Sequence, residues 1–325
     1  MGKYRVLITE PIPEEVIEFI EEFANVDVGL KGDYDYESAL IRDLNKYDAL
    51  LCMLSTPITK TVLESAPDIK VISNYAVGYN NIDIEAASSL GIKVANTPDV
   101  LTEACGDFAM ALLMATTRKF FEAENYLREG KFKSWNPIGF LGMELRNKNL
   151  GIVGMGRIGQ AFAHRARAFG MQIFYTNRKQ LPKETEDELE ACFIPDLREL
   201  ARKSDVLSLN CPLTPETHHL INKEILEIMP DHSILLNTSR GPVVDEAALA
   251  EALHNRSIGG AGLDVFEKEP IVHPRILTAP NCTILPHIAS ATFETRRNIG
   301  LLAASAIEKV LNGTPVDEIH NLVTK

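Results

Sequence analysis

The 325-residue chain is 45% hydrophobic and 24% charged with no low-complexity tract, so it is long and apolar enough for two globular domains. Its 45 acidic and 33 basic residues leave a net charge of −12, which argues against a nucleic-acid or anionic-membrane surface. Five widely spaced cysteines (Cys52, Cys105, Cys192, Cys211, Cys282) with no C-x-x-C pair point to reduced thiols in a cytoplasmic protein, not to a disulfide framework or zinc site.

The chain enters an apolar strand over 5–9 with no signal-peptide core before it. Pro11 and Pro13 follow, then an amphipathic helix over 14–23 and a second strand over 26–30. A helix over 36–44, a strand over 49–54, a helix near 61–65, a strand over 71–74, a helix over 82–90 and a strand over 93–95 complete an alternation that predicts a parallel sheet. Asn96-Thr97-Pro98 marks a domain boundary. Residues 1–98 with 289–325 are expected to form a discontinuous substrate domain, and 99–288 a dinucleotide domain, with hinges near 98–102 and 287–292 and a cleft between them. Thr102 is placed to cap one long helix reaching 128, with Gly130 just past its end. Its most apolar part, 109–115, is too short to span a bilayer. Residues 131–146 are irregular and hold the only tryptophan, Trp135.

Next comes Gly-Ile-Val-Gly-Met-Gly-Arg-Ile-Gly-Gln (151–160), a short apolar strand running into G-x-G-x-x-G and then a helix closed by Gly170. Gly154 permits the turn out of the strand, Gly156 lets backbone approach a pyrophosphate, and Gly159 lets the helix pack close to the sheet. The helix start, at Arg157 and Ile158, offers unpaired N–H groups to phosphates. A second strand over 171–175 follows, which is the context that a dinucleotide site requires. Beyond it stand Asn177, Arg178 and Lys179, where a site for NAD usually places Asp or Glu on the ribose hydroxyls. A carboxylate would repel a 2′-phosphate, whereas arginine grips it with paired N–H bonds, so NADPH is the expected cofactor and NADH a possible one.

Further strands over 206–209, 234–237, 260–264 and 283–285, with helices over 223–228, 246–255 and 292–311, predict a second doubly wound sheet. The expected fold is α/β: a Rossmann cofactor domain and a flavodoxin-like substrate domain. A weak internal echo fits this: Asp48-Ala-Leu-Leu-Cys-Met-Leu-Ser-Thr-Pro resembles Asp205-Val-Leu-Ser-Leu-Asn-Cys-Pro, and Asn74-Tyr-Ala-Val-Gly78 parallels Asn237-Thr-Ser-Arg-Gly241.

Ligands of open parallel sheets sit beyond the carboxyl ends of the strands. There the second sheet carries Arg240, then Glu267 and Glu269, then His287. Reduction of a 2-keto acid needs a proton donor, and histidine titrates in the useful range. A carboxylate on the other ring nitrogen fixes the tautomer and favours the protonated ring, and a guanidinium clamps the substrate carboxylate while polarising its carbonyl. His287 as acid, Glu269 as its partner (Glu267 lies two residues away) and Arg240 as anchor fit one reaction. His218-His219, on a polar loop, lacks the spacing of a metal pair, and no metal is expected.

Five ordered motifs together resemble the D-2-hydroxyacid dehydrogenase family over nearly the whole chain. They are Tyr-Ala-Val-Gly-Tyr-Asn-Asn-Ile-Asp (75–83), the glycine run 151–160, Asn-Thr-Ser-Arg-Gly (237–241), Gly-Leu-Asp-Val-Phe-Glu-Lys-Glu-Pro (262–270) and Leu-Pro-His-Ile-Ala-Ser-Ala-Thr (285–292). The resemblance implies the same three catalytic roles, N–H groups of Val77 and Gly78 (beside Ala76) receiving the substrate carboxylate, and Asp264 orienting the nicotinamide amide. It also places Leu54 and Ser290 at the substrate, and Thr102, Cys211, Pro212, Thr217, Thr238, Ser239 and Ala289 along the cofactor. Ala289 stands where relatives often carry glycine. The Asn-Arg-Lys turn, Ser290 and Trp135 resemble the glyoxylate/hydroxypyruvate reductase branch, which includes 2-ketogluconate reductases. In that branch the tryptophan segment belongs to a homodimer interface and reaches the partner's active site; a plain interface or core anchor is the other role for Trp135. The same chemistry on 2-ketogluconate, phosphite or a branched 2-keto acid, and a dinucleotide-sensing corepressor, are the alternatives to glyoxylate or hydroxypyruvate reduction.

Overall fold

The computed structural model describes residues 3–324. In chain order the elements are β1 (Tyr4–Ile8), α1 (Glu14–Glu21), β2 (Ala24–Val28), α2 (Glu37–Asp43), β3 (Ala49–Cys52), α3 (Lys60–Glu64), β4 (Val71–Asn74), α4 (Ile84–Ser89), β5 (Lys93–Ala95), α5 (Thr102–Thr117) and α6 (Phe120–Arg128). They continue with β6 (Asn149–Val153), α7 (Arg157–Ala168), β7 (Gln172–Thr176), α8 (Lys183–Leu189), β8 (Ala191–Phe193), α9 (Leu197–Lys203), β9 (Val206–Leu209) and α10 (Lys223–Ile228). The last are β10 (Ile234–Asn237), α11 (Glu246–His254), β11 (Gly260–Leu263), α12 (Pro274–Leu277), β12 (Cys282–Ile284) and α13 (Phe293–Leu311). No described helix is long and apolar enough to cross a membrane.

The chain divides into two compact units, 3–101 with 291–324 and 102–290. The first holds a five-stranded parallel sheet in the order β2-β1-β3-β4-β5, the flavodoxin-like winding. The second holds a seven-stranded parallel sheet in the order β12-β11-β10-β9-β6-β7-β8, the Rossmann winding, reversing between β6 and β9. β3, β4, β9, β10 and β11 are buried at every residue, which is why they read as continuous apolar runs. Leu7, Leu50, Ile72 and Val94 centre the core of the first unit. In the second, Leu207, Leu235 and Leu263 pack on one face of the sheet, and Leu150, Ile152, Ile173 and Tyr175 on the other.

The internal echo has a physical counterpart. Asp48 Oδ2 accepts the Arg5 N–H at 3.0 Å, and Asp205 Oδ2 accepts the Asn149 N–H at 2.8 Å. The Asp48 N–H donates to the Arg5 carbonyl and the Asp205 N–H to that of Asn149, so each aspartate locks the amino end of its sheet in the same way. At the opposite ends, Asn74 Nδ2 donates to the Gly78 carbonyl at 2.7 Å and Asn237 Nδ2 to that of Arg240 at 3.0 Å. Each asparagine thereby closes the turn that carries its unit's candidate residues.

One expectation fails. The helix from Thr102 does not run on to 128: it ends at Thr117, and Lys119 takes the left-handed conformation (φ 54°) before α6 begins. The cause is an incoming strand of chain. The Met143 N–H donates to the Thr117 carbonyl at 3.0 Å, taking the acceptor that the next helical turn would need, and a Cβ on Gly142 would lie 2.1 Å from that oxygen. α5 is buried along most of its length, whereas α6 buries no residue. Elsewhere element ends shift by a few residues, and the edge strand β8 and the helices α8, α9 and α12 join those read from the sequence.

Candidate active site

The loops after β10, β11 and β12 meet at the carboxyl end of the second sheet. Gly241 sets the fit, because a Cβ there would lie 1.8 Å from the carbonyl carbon of Phe266, so any side chain would push the loops bearing Arg240 and Glu269 apart. Glu269 Oε2 lies 2.8 Å from His287 Nδ1, and Glu269 Oε1 accepts the Phe266 N–H at 3.0 Å. Burial opposes ionisation of Glu269, but His287, the Phe266 N–H and the nearby Arg240 guanidinium together hold its carboxyl below the usual range. Burial likewise pulls the Arg240 guanidinium below its ordinary value, with Glu269 opposing. An arginine starts so high that it stays charged. Glu267 turns the other way: it lies 3.3 Å from His219 Nε2 and accepts the Glu246 N–H at 3.3 Å. Of the two glutamates, Glu269 alone meets His287.

His287 occupies the left-handed region (φ 56°), an uncommon place for a non-glycine residue. The fold holds it there. Its N–H donates to the Asp264 carbonyl at 2.8 Å, and both Asp264 carboxylate oxygens accept the next two N–H groups, those of Ile288 and Ala289, each at 2.8 Å. Asp264 has no exposed surface, and burial pushes its carboxyl up to about 6 despite those two bonds. Its carboxylate is thus engaged with the backbone that carries His287. Nothing in the motif suggested this pin. Strained backbone under such restraint is characteristic of functional positions.

The glycine loop fits a dinucleotide. Gly154 (φ 94°) would place a Cβ 2.7 Å from the Cys211 backbone nitrogen, and Gly159 one 2.5 Å from the Gly154 carbonyl oxygen. A Cβ on Gly156 would meet nothing within 4 Å: the loop is closed on two sides and open at the start of α7, where Arg157 and Ile158 begin the helix with no side-chain cap. The buried hydroxyl of Thr238 and the side-chain oxygen of Asn210, both just past strand ends, have no hydrogen-bond partner among the described residues. A polar ligand would satisfy them. Ser239 is tied to Asn237, and Thr217 bonds the Pro212 carbonyl at 2.7 Å, shaping the loop after Cys211. Asn177 Oδ1 accepts the Met155 N–H at 3.0 Å, so its side chain braces the glycine loop, while Arg178 and Lys179 stand exposed. Thr102 opens α5, and Cys105 is buried one turn on.

In the first unit, Leu54 follows β3, and Ala76, Val77 and Gly78 follow β4. The Ala76 carbonyl accepts the Thr97 N–H, and those of Val77 and Gly78 accept the side-chain amides of Asn96 and Asn74. The Val77 and Gly78 N–H groups take no partner among the described residues. The turn therefore presents donors with its acceptors spent, an arrangement that suits an anion. Ser290 is partly exposed, and Trp135 is 80% exposed.

A family model described as D-isomer specific 2-hydroxyacid dehydrogenase, NAD binding domain, matches residues 110–289. The chain is 45% identical over 315 residues to a glyoxylate reductase of Thermococcus onnurineus (strain NA1), covering 96% of this chain and 94% of that one. Among solved structures it resembles the TT0316 protein of Thermus thermophilus (TM-score 0.90, 40% identity, 98% of this chain and 100% of that one). It also resembles an NADPH-dependent glyoxylate/hydroxypyruvate reductase of Sinorhizobium meliloti in complex with NADP and malonate (TM-score 0.86, 32% identity, 98% of each chain). With a Rossmann sheet, a dinucleotide loop and this degree of similarity, the chain is an NAD(P)-dependent oxidoreductase and belongs to the D-isomer specific 2-hydroxyacid dehydrogenase family.

Proposed function

We propose that this protein reduces glyoxylate, hydroxypyruvate or a similarly small 2-keto acid to the D-2-hydroxy acid, with NADPH preferred over NADH, as a cytoplasmic homodimer. The observation that carries the reading is the His287–Glu269 pair at 2.8 Å with Arg240 beside it at the carboxyl end of the sheet. Names of relatives favour the same substrates: glyoxylate reductase for the Thermococcus protein, glyoxylate/hydroxypyruvate reductase for that of Sinorhizobium.

The dinucleotide, when bound, supplies the hydride. Gly154, Gly156 and Gly159 give it a backbone approach, and Thr238, Ser239, Thr217, Cys211, Pro212 and Ala289 line its course. Arg178 and Lys179 take the 2′-phosphate. Arg240 clamps the substrate carboxylate and draws electron density toward the carbonyl oxygen. The N–H groups of Val77 and Gly78, without a partner among the described residues, are assigned to anion binding, as the family resemblance implies. Glu269 holds His287 through Nδ1, which leaves Nε2 as the atom that delivers a proton to the developing alkoxide. Solvent reprotonates the ring once the hydroxy acid has left.

A panel of keto acids (glyoxylate, hydroxypyruvate, 2-ketogluconate, branched 2-keto acids) assayed with NADPH and NADH tests the reading, with His287→Ala as control. Turnover of glyoxylate and hydroxypyruvate no faster than in His287→Ala would sink it. Arg178→Ala is expected to weaken NADPH by about 1.5–3 kcal/mol, the scale of a hydrogen bond to a charged group, and to leave NADH nearly unchanged. Equal losses for both cofactors would remove Arg178 from the phosphate.

A further inference from the structure

The turn that follows β7 is held at both ends, and the far anchor is a buried polar cluster that the reaction does not use. At the near end Asn177 Oδ1 accepts the Met155 N–H at 3.0 Å. At the far end the Leu181 N–H donates to the Tyr175 hydroxyl at 2.8 Å, and that hydroxyl donates to Glu186 Oε1 at 2.7 Å. Gln180 Nε2 donates to the same carboxylate, at 2.9 Å to Oε1 and 3.1 Å to Oε2. Tyr175 is fully buried and Glu186 nearly so. Hydrogen bonds from Tyr175 and then Gln180 hold the Glu186 carboxyl below the usual range, and burial pushes the Tyr175 hydroxyl up to about 12, so one stays an acceptor and the other a donor. Between the anchors Arg178, Lys179 and Gln180 are exposed; Gln180 is turned back onto Glu186, which leaves the two basic side chains facing solvent.

A buried carboxylate a few residues from two basic side chains is a costly thing to build unless it is used. Here both oxygens are spent on fixing the turn, so no carboxylate is offered to the ribose. Fixing the backbone of the turn removes, before any ligand arrives, conformational freedom that binding would otherwise have to take away. We infer that Tyr175, Glu186 and Gln180 are positioning residues that present Arg178 and Lys179 to a phosphate monoester on the nucleotide ribose, and thereby set the discrimination between NADPH and NADH. The inference rests on the NADPH preference proposed above.

Dissociation constants of NADPH and NADH, and of 2′,5′-ADP and 5′-AMP, measured without keto acid, test it in the wild type, Tyr175→Phe, Glu186→Leu, Glu186→Gln and Gln180→Ala. Tyr175→Phe keeps the ring in the core and removes only the hydroxyl. Tyr175→Phe and Glu186→Leu are expected to weaken NADPH and 2′,5′-ADP roughly tenfold while NADH and 5′-AMP change by less than about twofold, the scale of losing one preorganised residue. Glu186→Gln, which keeps an acceptor for the Tyr175 hydroxyl, should retain most of the preference. Gln180→Ala, on the exposed turn, gives a partial loss without disturbing the core. Unchanged discrimination in Tyr175→Phe and Gln180→Ala, or equal losses for phosphorylated and unphosphorylated nucleotides, would overturn the inference. A wild type that binds NADPH and NADH alike, with Arg178→Ala unchanged, would overturn the cofactor preference itself and this inference with it.

Discussion

Asp264 does its work through backbone, and its titration connects the geometry of His287 to pH. The carboxyl is fully buried and accepts the N–H groups of Ile288 and Ala289, so its charge grips the two residues that follow the strained histidine. Burial is the main reason its pKa rises to about 6, from an ordinary 3.8. Between those values the native chain binds a proton that the unfolded chain does not, so the contribution of Asp264 to stability falls as pH rises through the window. Above about 6 the ionised form costs on the order of 3 kcal/mol relative to acid pH. Activity runs the opposite way: below about 6 protonation turns one of the two Asp264 acceptor oxygens into an O–H, so one of the Ile288 and Ala289 N–H groups loses its partner and the segment after His287 loosens. Acidification from pH 7 to 5 should therefore lower kcat while this residue's share of stability increases. Melting curves of the wild type and Asp264→Asn across pH 4–7 check the assignment. A variant with the same pH slope as the wild type would show that another group titrates.

At the scale of the elements, the β6–α7 turn separates two kinds of glycine. A Cβ at Gly159 would sit 2.5 Å from the Gly154 carbonyl, backbone that cannot yield, so Gly159→Ala should push α7 off the sheet and destabilise the fold by about 1–3 kcal/mol. A Cβ at Gly156 meets nothing, so Gly156→Ala should melt like the wild type yet bind either dinucleotide far less well, because the new methyl occupies the approach of the pyrophosphate. A normal affinity in Gly156→Ala would mean that the phosphates lie elsewhere. The same scale shows what the sequence makes legible. Strands buried on both faces announce themselves as unbroken apolar runs, and parallel winding fixes what stands at their carboxyl ends, so the placement of Arg240, Glu269 and His287 just past β10, β11 and β12 could be read directly. β8 could not: Ala191-Cys192-Phe193 is short, half-exposed and flanked by charge, and it becomes a strand only through pairing with β7. The end of α5 was hidden for a similar reason, since the Met143 N–H that takes the Thr117 carbonyl lies 26 residues downstream. The Tyr175–Glu186 anchor and the Asp264 pin also depend on partners that no local pattern brings together.

For the whole molecule, the unsettled surface is the segment from α6 to residue 141. α6 buries nothing, and Phe120, Phe121, Leu127, Phe132, Trp135, Ile138 and Leu141 are all exposed, Ile138 to 76%. Apolar surface this concentrated along one stretch is unusual on a monomer and is the kind that a second copy covers in a two-fold dimer. Net charge opposes that pairing, because two chains of −12 repel at long range. Salt screens the repulsion without weakening the apolar contact, so a dimer built on this segment should tighten between low and physiological ionic strength, the reverse of one held by ion pairs. Sedimentation of the wild type at several salt concentrations reads this, and Ile138→Asp with Leu141→Asp should give a folded monomer. If Trp135 reaches the partner's site, that monomer should also show a raised KM for the keto acid while its affinity for the dinucleotide, assigned above to the β6–α7 loop and the turn after β7, stays the same. A wild type that remains monomeric at every salt concentration would leave the segment without a partner copy, and an unchanged KM in the monomer would confine Trp135 to the interface.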